Sequence, residues 1–329
     1  MNIHLTMACW DYDQTRALRT GKVRPDGIDL TYLSLPVEEI FFRMLQNDEF
    51  EVAEMSLSSY VMSLFDENPR YIAIPVFPLR AFRHSAIFVN SASRIQTPAD
   101  LVGKRVATPE YEMTAGVWIR GMLFDEYSVP VDSVKYFTGG QEQAGRKEKL
   151  QLNLPPNIRV EPIPSTETIS SMLDKGEVDA MYTARKPSSF LQKTGRVVRL
   201  FPNHREVEQQ YYKKTGLFPI MHTVVIRRDV YQKYPWVAQS LTKAFIAAQR
   251  DEYDVLYRTA APTQMVPWFP SLVEDAQLIM GDDFWAYGFH HNKKTLFTFL
   301  RYSYEQGLSK RQLDPEELFA KETLESFKI

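Results

Sequence analysis

The segment AIPVFPLRAFRHSAIFVN, residues 73–90, connects two apolar runs, Tyr71–Phe77 and Ala86–Val89, that predict extended backbone. Between the runs, RAFRHS at residues 80–85 concentrates two arginines, a histidine and a serine. Because a buried positive charge is unfavourable unless it is paired, such a group indicates either acidic side chains of the same chain or a bound acid. The alternative is a surface loop with solvated arginines, and this segment alone leaves both interpretations open.

The composition is that of an ordinary folded protein. The chain has 329 residues, of which 44% are apolar and 24% charged, and its formal net charge is −2. This length suits two domains or one large α/β unit, and the apolar content argues against disorder. Lysine and arginine are scattered rather than gathered into a basic stripe, so we expect no nucleic-acid partner.

The sequence also bears on the compartment in which the protein works. No apolar run approaches the roughly 20 residues that a membrane-spanning helix needs, so we expect no membrane partner. The N-terminal residues lack the pattern of a secretory signal, and the single cysteine, Cys9, cannot form an intramolecular disulfide. We therefore expect a cytoplasmic protein in which Cys9 is a small buried residue rather than a nucleophile.

Strand and helix patterns alternate along the chain and predict an α/β fold. Strands are expected at residues 3–10, 29–35, 51–55, 104–108, 134–137, 158–162, 178–183 and 197–201, and within 217–228. Helices are expected at residues 37–47, 60–65, 113–127, 168–175 and 188–193, then from Pro235 onward and near residues 273–280 and 293–306.

Two mixed segments, near residues 80–90 and 215–225, would link two parts of this fold. We therefore predict two α/β lobes joined by hinge segments around a central cleft. Lobe 1 would comprise residues 1–85 and 216–329, and lobe 2 would be an inserted domain of residues 86–215.

Polar residues follow several of the predicted strands. In open α/β sheets ligands bind at the carboxyl ends of the strands, and a helix that starts there offers free N–H groups to an anion. The residues in such positions are Asp11, Ser56, Ser58, Glu110, Thr114, Tyr182 and Arg185. Helix capping and structural salt bridges are the alternative roles for them.

Motifs of several common enzyme classes are missing. The glycine-rich segment at residues 139–147 approaches a phosphate-binding loop, but the lysine–serine/threonine pair and the apolar helix that should follow it are absent. We expect a turn-rich excursion there. The sequence contains no G-x-S-x-G, H-E-x-x-H or paired C-x-x-C, so serine hydrolases, zincins and zinc ribbons have no support.

Six short motifs together resemble one family. They are ACWDYD at residues 8–13, EMSLSSY at 54–60, FRHS at 82–85, PEYEMTA at 109–115, YTAR at 182–185 and FPIMH at 218–222. As a set they resemble the 4,5-dihydroxyphthalate decarboxylases, and the resemblance runs from Leu5 to Phe319. Gln14 departs from it, because an arginine is expected after WDYD. The family is similar to type II periplasmic binding proteins, so the resemblance implies that two-lobed fold and a carboxy-lyase of phthalate catabolism.

The resemblance also implies roles for the candidate residues. Arg83 and Arg185 are expected to bind the two carboxylates of an aromatic diacid, with Arg80 as a weaker third, because guanidinium groups match carboxylates in bidentate geometry. Further substrate contacts are expected from Asp11, Ser56, Ser58, Thr114 and Tyr182. His84, His222 and Glu110 are the candidates for proton transfer, and the division of acid and base roles among them and Asp11 stays open.

Several alternatives stay open at this point. The reaction needs no cofactor, but a divalent metal held by His84, His222, Glu110 or Asp11 is also compatible with the sequence. A non-catalytic binding protein for an aromatic acid is the second interpretation, and a biosynthetic enzyme on the same scaffold is the third. The expected partner is a small aromatic dicarboxylate, and the sequence does not decide between a monomer and a homo-oligomer.

Overall fold

The computed structural model describes residues 2–325, which contain two mixed α/β sheets with helices packed against them. The strands are β1 (Ile3–Cys9), β2 (Ile28–Ser34), β3 (Val52–Ser56), β4 (Tyr71–Ile74), β5 (Ile87–Asn90), β6 (Arg105–Thr108), β7 (Lys135–Thr138), β8 (Val160–Pro162), β9 (Ala180–Tyr182), β10 (Val197–Arg199) and β11 (His222–Arg227). The helices are α1 (Arg16–Arg19), α2 (Val37–Asn47), α3 (Leu57–Ser63), α4 (Thr114–Tyr127), α5 (Ile169–Lys175), α6 (Ser188–Leu191), α7 (His204–Thr215), α8 (Arg228–Lys233), α9 (Trp236–Leu256), α10 (Phe269–Met280) and α11 (Phe289–Glu305).

The chain divides into two compact units. Unit 1 comprises Met1–Arg80, Ile220–Phe297 and Asp314–Ile329, and unit 2 comprises Ala81–Pro219 and Thr298–Leu313. The α/β class agrees with the alternation of strand and helix patterns in the sequence, and unit 1 is discontinuous in sequence, like the predicted lobe 1.

The sheet of unit 1 has the strand order β2-β1-β3-β11-β4. β1 pairs in parallel with β2 and β3, whereas β11 is antiparallel to its neighbours β3 and β4. Every residue of β3 is buried. Strands buried on both faces are normally apolar throughout, so the one charged residue in β3, Glu54, requires partners inside the fold.

The sheet of unit 2 has the strand order β10-β5-β9-β6-β7-β8. β6, β7, β8 and β9 pair in parallel, and β5 runs antiparallel to β9 and β10. Apolar side chains of the sheet, among them Phe88, Ala107 and Met181, pack with Ile169 and Leu173 of α5 in one core cluster. This burial anchors the strands whose ends carry the candidate residues of unit 2.

Two connections between the units run side by side. Arg80 and Ile220 form an antiparallel bridge in unit 1, and the Ala81 N–H donates to the Pro219 carbonyl in unit 2, at 3.1 Å. The two segments that the sequence marks as links are therefore paired with one another.

The unit boundaries differ from the predicted lobes in three segments. Residues 81–85 and 216–219 belong to unit 2, and so do residues 298–313, which contain the second half of α11. That half of α11 packs on α4, where the rings of Trp118 and Phe299 lie 5.5 Å apart. This packing joins residues far apart in sequence, so local patterns do not predict it.

Two further features concern the helices. α7, which the sequence patterns do not predict, has only Tyr211 buried, so its apolar periodicity is weak. Among residues 2–325, no helix combines the length and the apolar character that a membrane span requires.

The contact between α4 and α11 gives a test of the fold. A Cβ atom at Gly121 would lie 2.2 Å from the Tyr302 ring, so Gly121→Ala forces the two helices apart. We expect it to lower the free energy of unfolding by about 1–3 kcal/mol, the usual cost of overpacking. Urea unfolding followed by circular dichroism measures the change.

Gly116→Ala in the same helix is the matched control. Its Cβ would lie 3.1 Å from Arg120 Nη1 and 3.6 Å from Thr108 Oγ1, much farther than the Gly121 Cβ would lie from a ring, and alanine is the better helix former. A Gly121→Ala variant as stable as Gly116→Ala would contradict the packing of α11 on α4.

Candidate active site

Three strand ends meet at one edge of the unit 1 sheet. β1 and β3 are parallel and β11 is antiparallel to β3, so the last residues of β1 and β3 share an edge with the first residue of β11. The register pairs His222, at the start of β11, with Ser56, at the end of β3. Asp11 follows the end of β1 by two residues. Three of the sequence-predicted residues therefore lie at this edge.

A buried carboxylate lies just inside this edge. Glu54 is completely buried, and its Oε2 accepts a hydrogen bond from the Trp10 N–H at 2.9 Å and lies 3.5 Å from Cys9 Sγ. Its Oε1 accepts a hydrogen bond from Tyr12 Oη at 2.6 Å. Burial raises the pKa of Glu54, but His222 and the Trp10 and Tyr12 donors outweigh this effect, so the pKa lies below its usual value. Glu54 is therefore an ionised carboxylate.

His222 is bound to this carboxylate. Its Nδ1 lies 2.5 Å from Glu54 Oε1, and only 11% of its side chain is exposed. Phe41 of α2 packs edge-on against the ring, with the centroids 5.0 Å apart. Because an ionised Glu54 can only accept, Nδ1 carries the proton of this bond, and the ring orientation is fixed. Nε2, which has no hydrogen-bond partner among residues 2–325, is thereby left for proton transfer.

The other predicted residues of unit 1 have structural partners. Asp11 is half exposed and forms an ion pair with Arg19 at 2.8 Å. Ser56 caps α3 by accepting from the Ser59 N–H, and Ser58 is completely buried in the first turn of that helix. The capping role weighed for Ser56 is thus present, and substrate contact by these three residues stays a prediction.

Two residues singled out in the sequence support the neighbouring backbone of unit 1. Gln14, which stands where the family resemblance predicts an arginine, donates from Nε2 to the Pro78 carbonyl at 2.6 Å. Arg80 is buried and donates to the Ala286 carbonyl at 2.8 Å and to the Asn292 side chain. Both side chains therefore hold the segment that leads to the connection between the units.

One edge of the unit 2 sheet likewise collects predicted residues. β6 and β9 are parallel and β5 is antiparallel to β9, so the ends of β6 and β9 share an edge with the start of β5. This edge carries the residues just before β5, those just after β6 and those just after β9, namely Arg83, His84, Glu110, Thr114, Tyr182 and Arg185.

The two candidate residues that precede β5, Arg83 and His84, are both buried. Burial lowers the pKa of Arg83 to about 10, although Glu208 partly offsets it, so the guanidinium stays charged at neutral pH. Burial also lowers the pKa of His84 to about 4, and neither ring nitrogen has a hydrogen-bond partner among residues 2–325. His84 packs edge-on against Phe201 and Tyr211. A neutral imidazole in this apolar contact is a poor proton donor, and the proton-transfer role predicted for His84 stays a prediction.

Glu110 lies in a buried group of charges. It accepts hydrogen bonds from Arg146 Nε and Nη2, at 3.0 and 2.7 Å, and lies 2.7 Å from Lys149 Nζ. Lys149 also lies 3.4 Å from Glu112. These pairs tie the turn-rich segment after β7 to the residues that precede α4. They give Glu110 a structural role, and its predicted catalytic role stays a prediction.

The remaining predicted residues of unit 2 differ in exposure. Thr114 is buried as the first residue of α4, and Tyr182 is buried at the end of β9. Arg185 is exposed, and its N–H donates to the Thr183 hydroxyl at 3.1 Å. An exposed guanidinium at this edge can reach a bound carboxylate, and substrate contact by Thr114, Tyr182 and Arg185 stays a prediction.

Metal ligands do not cluster in the part of the chain that the structure describes. Among residues 2–325, no three His, Cys, Asp or Glu side chains lie in an arrangement that could hold a metal ion. His222 and Glu54 form a pair, and His84 and Glu110 each have other neighbours. The metal-binding alternative therefore has no assembled ligand set among the described residues.

Comparison with solved structures defines the fold class. The chain is similar to the periplasmic aliphatic sulphonate-binding protein SsuA of Escherichia coli, with a TM-score of 0.53 over 98% of this chain and 99% of that one, at 12% sequence identity. The fold is therefore the α/β fold of periplasmic binding proteins. No family model matches the sequence.

Comparison with curated proteins defines the family. The chain is 39% identical to the 4,5-dihydroxyphthalate decarboxylase of Comamonas testosteroni over 327 residues, 99% of each chain. It is also 39% identical to the enzyme of the same name from Pseudomonas putida over 211 residues, 64% of this chain and 82% of that one. The chain therefore belongs to the family of 4,5-dihydroxyphthalate decarboxylases, as the six motifs predict.

Glu54 is a central residue of this candidate site, and the sequence patterns do not single it out. Among those patterns it appears only within the motif EMSLSSY, and residues 51–55 are interpreted as a plain strand. A usable signal was present, because Glu54 is an acid between apolar neighbours in a buried strand, just as His222 is a histidine beside an apolar run. A charge in such a position requires a partner.

Glu148 lies beside the charge group around Glu110, and its titration should make the stability of the protein depend on pH. Burial and the charges of Glu112 and Glu110 raise the pKa of Glu148 to about 7, although the Tyr111 N–H and Thr138 donate to it. A raised carboxyl pKa means that the unfolded chain releases this proton first, so stability falls as pH rises from about 4.5 to 7. We expect Glu148→Gln to match the wild type at pH 4.5 and to unfold at a higher urea concentration at pH 8.

The matched control is Glu142→Gln, an exposed residue of the same segment whose carboxylate binds the Ser188 hydroxyl and N–H. It lacks the buried acidic neighbours of Glu148, so it should not gain stability at pH 8. Equal urea midpoints for Glu148→Gln and the wild type at both pH values would show that Glu148 does not retain its proton in the folded state.

Proposed function

We propose that the protein is a carboxy-lyase that removes one carboxylate of 4,5-dihydroxyphthalate as CO2 and forms protocatechuate. Family membership over the full length of both chains supports the reaction class and the substrate. The observation that carries the mechanism is the Glu54–His222 pair, a buried carboxylate that fixes a histidine at the edge of the unit 1 sheet. The cytoplasmic location stays a prediction.

The substrate itself assists this reaction. Each carboxylate lies para to a phenolic hydroxyl, so protonation of the ring carbon that bears the carboxylate, with loss of the proton from the para oxygen, gives a dienone intermediate. The bond to the carboxylate carbon then breaks, its electron pair restores the aromatic ring, and the para oxygen regains a proton. The dianion takes up one proton and yields CO2 and a monoanion, so the enzyme must supply an acid in every turnover.

His222 is the proposed acid. In its imidazolium form Nδ1 donates to Glu54 and Nε2 carries the second proton, which is the one transferred to the ring carbon. The Glu54 carboxylate stabilises the cation and keeps the ring in one orientation, so Glu54 is a positioning residue. Nε2 then regains its proton from solvent or from the para hydroxyl before the next turnover.

Carboxylate binding is proposed for Arg83 and Arg185. Arg83 remains a cation despite its burial, and Arg185 is exposed at the same edge of the unit 2 sheet. Planar guanidinium groups bind carboxylates in bidentate geometry and neutralise the dianion without accepting a proton. Asp11, Ser56, Ser58, Thr114 and Tyr182 remain candidates for further contacts.

We also propose that the reaction needs no metal or organic cofactor. The para hydroxyl of the substrate provides the electron sink that a cofactor provides in other decarboxylations, and the described residues contain no group of three metal ligands.

The direct test is turnover by protein treated with EDTA and then freed of chelator. We expect release of CO2 and formation of protocatechuate in equal amounts, at a rate that added Mg2+ or Mn2+ does not raise. Tight binding of 4,5-dihydroxyphthalate without turnover, with or without metal, would contradict the enzyme assignment. Activity that returns only with one divalent cation would contradict the metal-free mechanism.

The proton-transfer assignment is tested by His222→Gln and Glu54→Gln. Since a positioned general acid contributes about 10²–10⁴-fold, we expect His222→Gln to lower kcat by at least about 100-fold with KM little changed. Glu54→Gln keeps the volume and removes the charge, so kcat should fall less, by about tenfold or more. Steady-state assays of CO2 release measure both.

His4→Gln is the matched control, because His4 is an exposed histidine near the start of β1 in the same unit. It should keep wild-type kcat and KM. A His222→Gln variant as active as His4→Gln would rule out His222 as the acid.

A further inference from the structure

The Glu54 carboxylate receives two donors on one oxygen. Tyr12 Oη and His222 Nδ1 both bind Oε1, at 2.6 and 2.5 Å, whereas the Trp10 N–H and the weak Cys9 thiol donor bind Oε2, at 2.9 and 3.5 Å. Tyr12 lies in the turn that follows β1, where its N–H donates to the Trp10 carbonyl at 3.0 Å and its own carbonyl accepts from the Thr15 N–H at 3.3 Å. The turn therefore holds the Tyr12 hydroxyl against Glu54.

We propose that Tyr12 is a positioning residue that acts through Glu54: by sharing Oε1, its hydroxyl limits how strongly the carboxylate holds the Nδ1 proton of His222. Two donors on one oxygen compete for the same electron density, and each reduces the charge available to the other. This inference rests on the proposed function for its catalytic meaning, but the hydrogen bonds that carry it do not depend on the reaction.

A general acid must bind its proton firmly enough to be protonated and loosely enough to transfer it. An imidazolium bound to an unshared carboxylate is strongly stabilised, so it protonates carbon less readily. With Tyr12 in place, the negative charge on Glu54 Oε1 is shared between two donors. The carboxylate then orients the imidazolium of His222 but stabilises its positive charge less. Tyr12 thus adjusts the proton affinity of His222 through Glu54, without a hydrogen bond of its own to the histidine.

The titratable groups around Glu54 leave it as the one negative charge of this cluster. Burial raises the pKa of the Cys9 thiol and of the Tyr12 and Tyr32 hydroxyls, so all three are neutral at neutral pH. His222 faces Glu54 from β11, and the apolar ring of Phe41 covers the histidine from α2. A change in Tyr12 is therefore transmitted to His222 through Glu54.

The test is Tyr12→Phe, which removes one oxygen atom and keeps the ring. The matched control is Tyr32→Phe, because the Tyr32 hydroxyl donates to the Trp10 carbonyl at 2.8 Å and lies 3.0 Å from Thr15 Oγ1, without bonding Glu54. The first measurement is the downfield proton resonance of His222 Nδ1–H without substrate, assigned by its absence in His222→Gln. We expect it to move further downfield in Tyr12→Phe and to stay in place in Tyr32→Phe.

The second measurement is the pH dependence of kcat. In Tyr12→Phe the alkaline fall of kcat should move upward by about half a pH unit, and kcat at neutral pH should fall about threefold, because the imidazolium holds its proton more tightly. Tyr32→Phe should keep the wild-type profile. The Nδ1–H resonance also reports whether each variant is folded around the Glu54–His222 pair.

The outcomes separate the two proposals. A resonance that stays in place in Tyr12→Phe overturns the inference, whatever the activity. If the resonance moves in Tyr12→Phe but the His222→Gln variant keeps full activity, Tyr12 still acts on the Glu54–His222 hydrogen bond. That result contradicts only the role of His222 as the acid in the proposed function. A Tyr32→Phe variant that moves the resonance as far as Tyr12→Phe does also overturns the inference, because the effect would then not require the shared oxygen.

Discussion

An ionised carboxylate in the middle of a fully buried strand is costly unless hydrogen bonds replace the lost water, and Glu54 is such a carboxylate. Its partners come from the turn after β1 and from the first residue of β11. The need to satisfy one buried charge therefore fixes the turn, the strand end and the histidine ring together. The site is a product of this constraint, because each donor that stabilises Glu54 is also held in place by it.

Unit 2 also contains a buried carboxylate, Glu110, but ion pairs neutralise its charge. Arg146 and Lys149, from a segment without regular structure, neutralise Glu110 in the turn before α4. The segment is not a phosphate-binding loop, since it lacks the required lysine–serine/threonine pair and no helix follows it directly. Its positive charges serve a buried acid of the same unit, which is the salt-bridge alternative that the sequence left open for Glu110.

The fold was largely predictable because the strands and helices follow local patterns. The strand at His222–Arg227 and the helix at Val37–Asn47 are apparent from apolar spacing alone. The place of residues 298–313 in unit 2 was not predictable, because the fit of Tyr302 against Gly121 joins positions 181 apart in sequence. The sequence patterns do not predict α7, because its surface is almost entirely polar. At the site, the sequence predicts His222 as a candidate for proton transfer, whereas it predicts Glu54 only as part of a strand, because its partners come from segments distant in the sequence.

The central claim is that His222, held by Glu54, gives its Nε2 proton to the ring carbon that loses CO2. The most direct measurement is a crystal structure of the enzyme with 4,5-dihydroxyphthalate trapped in the His222→Gln variant. We expect the side-chain amide at position 222 to lie within about 3.5 Å of a carboxylate-bearing ring carbon, the distance of a near-attack geometry. A ring carbon that instead faces His84 or Glu110, with position 222 out of reach, would contradict it.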